Sequence, residues 1–262
     1  MQKKHLKGIV SIVSLILIIV LLFSALYLYT GNWPPAVIVE SKSMQHGNNF
    51  VFGVINTGDI VAVKKITGYK AVDTYLVARE HGGPTNYGEY GDVIVYDNHF
   101  LNELVIHRAI FYVYGWVGDV PELYGNDNPS WLDINGSTVY IYNVGYAHRN
   151  VAINLQSYIG QTGFVTMGDY NLANSELKYN GFYIAADQDV GIDNSLVNYT
   201  QVYGVAVGYL PVLGVMKLWI TGNTQYIPEE SNEIMAIIIV LVVALIFVPF
   251  PSQEKRKRNQ NE

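Results

Sequence analysis

Hydrophobic positions follow three different rules along the chain. From Gly8 to Tyr29 the sequence GIVSIVSLILIIVLLFSALYLY runs for 22 residues without a charge. At about 1.5 Å per residue such a helix is about 33 Å long, enough to cross a hydrocarbon core of about 30 Å. From Ile234 to Phe250 a second run, IMAIIIVLVVALIFVPF, adds 17 apolar residues, the short end of the spanning range. Neither run has a polar face, so the pattern predicts two transmembrane helices, 8–29 and 234–250. The first exceeds the apolar stretch of a cleavable signal peptide and no clear A-x-A site follows it, which points to a retained anchor.

Between these runs the apolar positions fall into short stretches rich in β-branched and aromatic residues: Ile60–Ile66, Asp92–Tyr96, Leu104–Tyr114 and Thr138–Val144. Clusters of Asn, Gly, Asp and Pro separate them (NTGD, HGGPTNYGEYGD, YGNDNPSW). No long 3.6-residue period occurs there. The pattern predicts a mainly β, mostly antiparallel domain over residues 30–233. The Tyr-, Asn- and Gly-rich stretch at about 115–160 is the candidate for an inserted lobe.

Charge orients this arrangement. Lys3, Lys4 and Lys7 precede the first run, Lys255 to Arg258 follow the second, and Glu229, Glu230 and Glu233 lie on the other side of the second. The positive-inside rule makes 1–7 and 251–262 cytoplasmic tails and turns 30–233 outward, as in a multi-pass protein of the cytoplasmic membrane. Half of the chain is hydrophobic and 15% is charged, which excludes a disordered acidic protein. The net charge of −6 argues against a nucleic-acid partner, and the absence of cysteine removes disulfides and thiolate chemistry. Residues 31–233 alone carry 9 basic and 20 acidic residues, a surface suited to an acidic environment.

Without cysteine, a nucleophile must be a hydroxyl or a carboxylate. Of the six histidines, His5 falls in a tail, and His81 and His99 sit in Gly- or Asn-rich loops. His46 and His148 lack metal-ligand spacing. His107 differs, because it interrupts an apolar strand (VIHRAI), where its burial needs an explanation. A core histidine bonded to a neighbouring strand would satisfy that pattern, and so would a general base. Ser43, in ESKSMQHG, lies about 13 residues beyond the first apolar run, and by itself Ser-Lys-Ser is a common polar turn. A serine nucleophile needs a base and a third group to hold that base. Asp169, after the Gly168 turn in VTMGDYN, is available for that role.

The ordered set SKSM (Ser41–Met44), TGDIVAV (Thr57–Val63), GDVIVY (Gly91–Tyr96), IHR (Ile106–Arg108), FVTMGDYN (Phe164–Asn171) and VYGVAVGYLPVLG (Val202–Gly214) resembles type I signal peptidase. IHR, where bacterial members carry a lysine base, resembles the archaeal and endoplasmic-reticulum branch, which uses serine, histidine and aspartate. The resemblance implies Ser43 as nucleophile, His107 as general base, and Ser41 with the Ser43 N–H as oxyanion donors. Met44 would help line a shallow pocket for small side chains. Asp169 matches the aspartate of the family's GDN box. His46 replaces a usual proline, and NNFVFGVIN is inserted before TGDIV. LANSEL stands where a second aspartate is common, so the partner of the histidine is expected at Asp193, with Asp187 next and Glu176 third. The implied activity is removal of signal peptides from preproteins at the outer membrane face, with membrane lipid and the protein-translocation channel as partners and no cofactor or metal. The implied fold is a coiled antiparallel β domain at the membrane surface.

Two other readings fit parts of the pattern. A membrane-anchored surface or adhesion protein would suit the 21 tyrosines and the sequons at Asn135 and Asn198. A self-cleaving repressor-like serine peptidase would share the β fold but not the two apolar runs.

Overall fold

A computed structural model describes residues 2–247 of the chain. The first apolar run lies inside α1 (Gln2–Thr30), whose helical hydrogen bonds satisfy its own backbone. Within it, Val13–Thr30 is long and apolar enough to cross a membrane, alone among the described residues. The second run lies in α5 (Glu229–Phe247) as far as Phe247. Residues 248–250, and the basic segment 251–262, lie outside the described residues.

The middle of the chain is mainly β. In order it forms β1 (Ala36–Ile38), β2 (Ile60–Lys64), α2 (Tyr75–Glu80), β3 (Thr85–Asn86), β4 (Glu89–Tyr90) and β5 (Val93–Asn98). Next come β6 (Glu103–Val117), β7 (Val120–Leu123), β8 (Leu132–Asn135), β9 (Thr138–Val144), β10 (Arg149–Asn154) and β11 (Gly163–Met167). Then follow α3 (Asp169–Asn174), β12 (Lys178–Tyr179), β13 (Phe182–Tyr183), β14 (Val202–Leu210) and α4 (Val215–Thr221). The helices between α1 and α5 are one or two turns long, as expected where no amphipathic helical period exists.

A seven-stranded antiparallel sheet runs β1-β2-β14-β5-β6-β11, with β7 added to β6. A five-stranded sheet, β12-β13-β10-β9-β8, is antiparallel except for one parallel pairing of Val151 with Tyr183. The inserted stretch expected at about 115–160 is redrawn by this topology. β6 continues to Val117 and turns into β7 within the main sheet, so the second sheet begins at β8 and also recruits 178–183. Phe111, Val113 and Val165 of the main sheet share one apolar core with Val139, Ile141, Val151 and Ile153 of the second. The two sheets thus bury each other's faces.

Two features place the main sheet against the end of α1. Buried Asn32 donates through Nδ2 to Val63 O at 3.0 Å and to Tyr203 O at 2.8 Å, and Lys65 N donates to Thr30 O at 2.8 Å. α4 and the first turns of α5 close a separate core of Val212, Val215, Leu218 and Met235.

Candidate functional site

His107 lies on β6, opposite Ile94 of β5, and is 3% exposed. Its Nδ1 faces Asp187 Oδ2 at 2.6 Å. The same oxygen accepts from Thr166 Oγ1 at 2.6 Å and from the Tyr96 hydroxyl at 3.1 Å. Strand geometry explains the convergence. Tyr96 is two residues beyond Ile94, and Thr166 pairs with Ala109, two residues beyond His107, so all three side chains share one face of the sheet. Asp187 reaches that face because its N–H donates to Thr166 O at 2.9 Å, while its own carbonyl accepts from Ile192 N and Asp193 N. The Asp187 carboxyl has no exposed surface, and its Oδ1 has no hydrogen-bond partner among the described residues.

With Nδ1–H donated to Asp187, the lone pair of His107 is on Nε2. A Cβ built on Gly168 would lie 3.0 Å from this Nε2 and 2.7 Å from Ser43 O. The φ of Gly168 is −78°, which any residue can adopt, so it is space and not conformation that calls for glycine here. Tyr170 N donates to Ser43 O at 2.9 Å, fastening the serine loop to α3. The loop is held from its other side by Thr57, whose Oγ1 donates to Ser41 O at 2.8 Å. Ser43 is half-buried and its hydroxyl is 3.2 Å from Ser41 Oγ, with no hydrogen bond to His107 in this conformation.

Ser41, Ser43 and His107 line one cleft of about 720 Å³. Val37, Val39, Leu104, Val105, Ile106 and Ile192 supply apolar walls. Met44, expected to help line the pocket, is instead 1% exposed in the core with Val39, Ile55 and Val61. Strand β1 borders the cleft and is an edge of the sheet. Pro35 O and Val39 N bond to β2 and its extension, so the backbone groups of Ala36 and Ile38 point away from β2.

The aspartates separate by role. Asp169 does not reach His107. Its Oδ1 accepts from Arg108 Nε at 2.8 Å and its Oδ2 from Arg108 Nη2 at 2.6 Å, with His46 Nε2 3.1 Å from Oδ2. Burial alone would raise its pKa, but the charge and hydrogen bonds of Arg108, helped by His46, hold the carboxyl below the usual range. Arg108 follows His107 on β6 and therefore faces the opposite side, where Nη1 also donates to Gly91 O at 2.7 Å. Asp193, expected against the histidine, is a turn residue: its Oδ1 accepts from Ser195 N at 3.1 Å and Ser195 Oγ at 3.3 Å. Burial raises its pKa. Its Oδ2 has no partner among the described residues. The short loop 187–193 brings Asp187, and not Asp193, onto the face that His107 occupies. Glu176 enters none of these contacts.

Sequence reasoning assigned no part to Thr166, Tyr96 or Arg108. The available signal was a polar side chain inside an apolar strand, the same feature that singled out His107. His46 was also set aside, yet it stacks on Tyr146 at 4.1 Å between ring centroids and adjoins Asp169.

Chemically, the site joins a carboxylate-held imidazole, with its free nitrogen directed towards a serine segment, to a cleft beside an unpaired strand edge. No group of three or more potential metal ligands occurs among the described residues. No protein-family model and no curated protein sequence matches the chain.

Proposed function

We propose that this chain is a membrane-bound serine endopeptidase that removes signal peptides from preproteins at the outer face of the cytoplasmic membrane, cutting after small residues. The observation that carries the reading is the buried His107–Asp187 pair at 2.6 Å, whose Nε2 shares the small space above Gly168 with the Ser43 backbone.

In this reading an extended substrate adds to the free edge of β1, using the outward backbone groups of Ala36 and Ile38. Rotation of the Ser43 side chain away from Ser41 brings Oγ towards His107 Nε2; such contacts are often long without substrate. Ser43 Oγ attacks the scissile carbonyl carbon as its proton passes to Nε2, and Asp187 stabilises the resulting imidazolium. The Ser41 hydroxyl and the Ser43 N–H receive the oxyanion. The imidazolium then protonates the leaving amine. Water, deprotonated by Nε2, hydrolyses the acyl-enzyme and restores the serine.

The membrane part of the proposal rests on α1 and charge. In this reading α1 holds the first span and the apolar run 234–250 is the second, with both termini cytoplasmic. The ties from Asn32 and Lys65 to the end of α1 support a cleft held near the lipid surface, where a membrane-embedded substrate emerges. Signal peptides and lipid are the direct partners; the translocation channel would deliver the substrate.

The test is cleavage of a preprotein by the full chain in detergent. Ser43→Ala and His107→Ala should each reduce kcat by at least about 10³-fold, with unchanged circular dichroism. Cleavage within tenfold of the parent by either folded variant overturns the serine–histidine mechanism.

A further inference from the structure

A second cavity, of about 820 Å³, lies where α1 meets the main sheet and shares no lining residue with the Ser43 cleft. Tyr29 from the last turn of α1 and Lys64 and Lys65 from the end of β2 form one part of its lining. Tyr87 and Tyr209 form another, their rings edge-to-face with centroids 6.0 Å apart. The bulge in β14 between Ala206 and Gly208 interrupts the ladder beside them.

The depth of this cavity follows from α1. Thr30 ends the apolar span, and its carbonyl accepts from Lys65 N at 2.8 Å. Lys64 Nζ lies 5.2 Å from the centre of the Tyr29 ring. Both lysines are thus level with the end of the hydrocarbon span, where lipid headgroups begin.

Charge decides what fits. Residues 31–233 hold 20 carboxylates and only 9 cations. Even so, no carboxylate lies within 4 Å of either Lys64 or Lys65 among the described residues. The cavity's one carboxylate, Asp92, is already engaged: Oδ2 accepts from Asp73 N at 2.9 Å and Oδ1 from Asn86 Nδ2 at 2.9 Å. Burial pushes the Tyr87 hydroxyl up to about 12, so the aromatic side stays neutral. Lys64 and Lys65 therefore line a polar, aromatic-walled space in which neither forms an ion pair among the described residues and Asp92 is the one acidic group.

We infer that this cavity binds the phosphate of an anionic lipid headgroup, with Lys64 and Lys65 as its cations and the tyrosines packed against the glycerol. The inference needs α1 in a membrane and is independent of the peptidase chemistry.

Native mass spectrometry of the full chain in detergent, titrated separately with phosphatidylglycerol and phosphatidylcholine, tests it. Phosphatidylglycerol should be retained more tightly. The pair Lys64→Gln and Lys65→Gln should weaken it by about thirtyfold, at about fivefold per lysine near an anionic lipid. Lys64→Arg with Lys65→Arg should keep the preference, and so should the charge-matched pair Lys178→Gln and Lys217→Gln. Retention through Lys3, Lys4 and Lys7 is common to all variants and cancels. Displacement by millimolar inorganic phosphate assigns the site to free phosphate; persistence in phosphate assigns it to the lipid. A parent protein without preference for phosphatidylglycerol, or a Gln pair that binds it as the parent does, overturns the inference.

Discussion

At the scale of single residues, Asp187 and Asp193 are both buried acids six positions apart, and only hydrogen-bond geometry separates them. Asp187 Oδ2 collects donors from His107, Thr166 and Tyr96. Asp193 Oδ1 caps its own turn through Ser195. If His107 is the base, Asp187→Asn should lower kcat by about 10³–10⁴-fold, because an amide can present an N–H to Nδ1 and favour the wrong tautomer. Asp193→Asn should cost less than about tenfold. Steady-state cleavage rates of the two variants check this, and equal losses would return Asp193 to the mechanism. Ser43 and His107 stand out in the chain because each sits in a short motif of its own. The carboxylate set against His107 does not, since Asp169, Asp187 and Asp193 all follow the β11 segment and no local pattern says which turns back onto β6.

One element higher, strand β6 does two jobs with neighbouring residues. The two-residue repeat of a strand sends His107 to the cleft face and Arg108 to the other, where it grips Asp169 at the start of α3. Tyr170, next in α3, holds the Ser43 carbonyl. The ion pair thereby fixes the serine loop relative to the histidine. Gly168 sits at the junction, and a methyl group there would press on Ser43 O at 2.7 Å and His107 Nε2 at 3.0 Å. Gly168→Ala should therefore cut kcat/KM by about a hundredfold, the scale of an ångström-sized misplacement. Far-UV circular dichroism should stay unchanged. Full activity in this variant would show that the close approach is not needed. The strand-forming stretches were visible from their β-branched and aromatic content; the pairing of β6 with β11 and β5, which sets the faces, was not.

For the molecule as a whole, buried acids shape the response to pH. Burial raises Asp59 and Asp189 to about 6, so the folded state binds these protons more tightly than the unfolded chain. Their contribution to stability is full below about pH 4 and is lost as pH rises through about 6. Asp189 Oδ2 accepts a single bond from Asn154 N at 3.0 Å, which an amide oxygen can replace. Asp189→Asn should therefore gain about 1–2 kcal/mol over the parent between about pH 4 and about pH 7. That corresponds to about 2–8 °C in the difference of melting temperatures. Thermal unfolding of the two proteins in detergent across that range checks the sign. A difference that is constant with pH would place Asp189 in solvent. Asp169 behaves oppositely: its lowered pKa keeps its stabilising pair with Arg108 intact until the pH falls through a value below the usual carboxylate range.

Some properties were settled by sequence alone because they depend on local composition. An uncharged run of 22 residues predicts a helix long and apolar enough to cross a membrane, and α1 contains it. Short β-branched and aromatic stretches between turn clusters define a mainly antiparallel β protein without reference to which strand pairs with which. Other properties depend on residues far apart in the chain, and only the tertiary structure decided them. The second sheet draws together 132–154 and 178–183 because its apolar face must be covered by β6 and β11. Met44 turns into the core instead of the cleft. Asp187 meets His107 across 80 positions because strand register and a turn anchored on Thr166 bring them to one face, and register is set by the burial of whole strands.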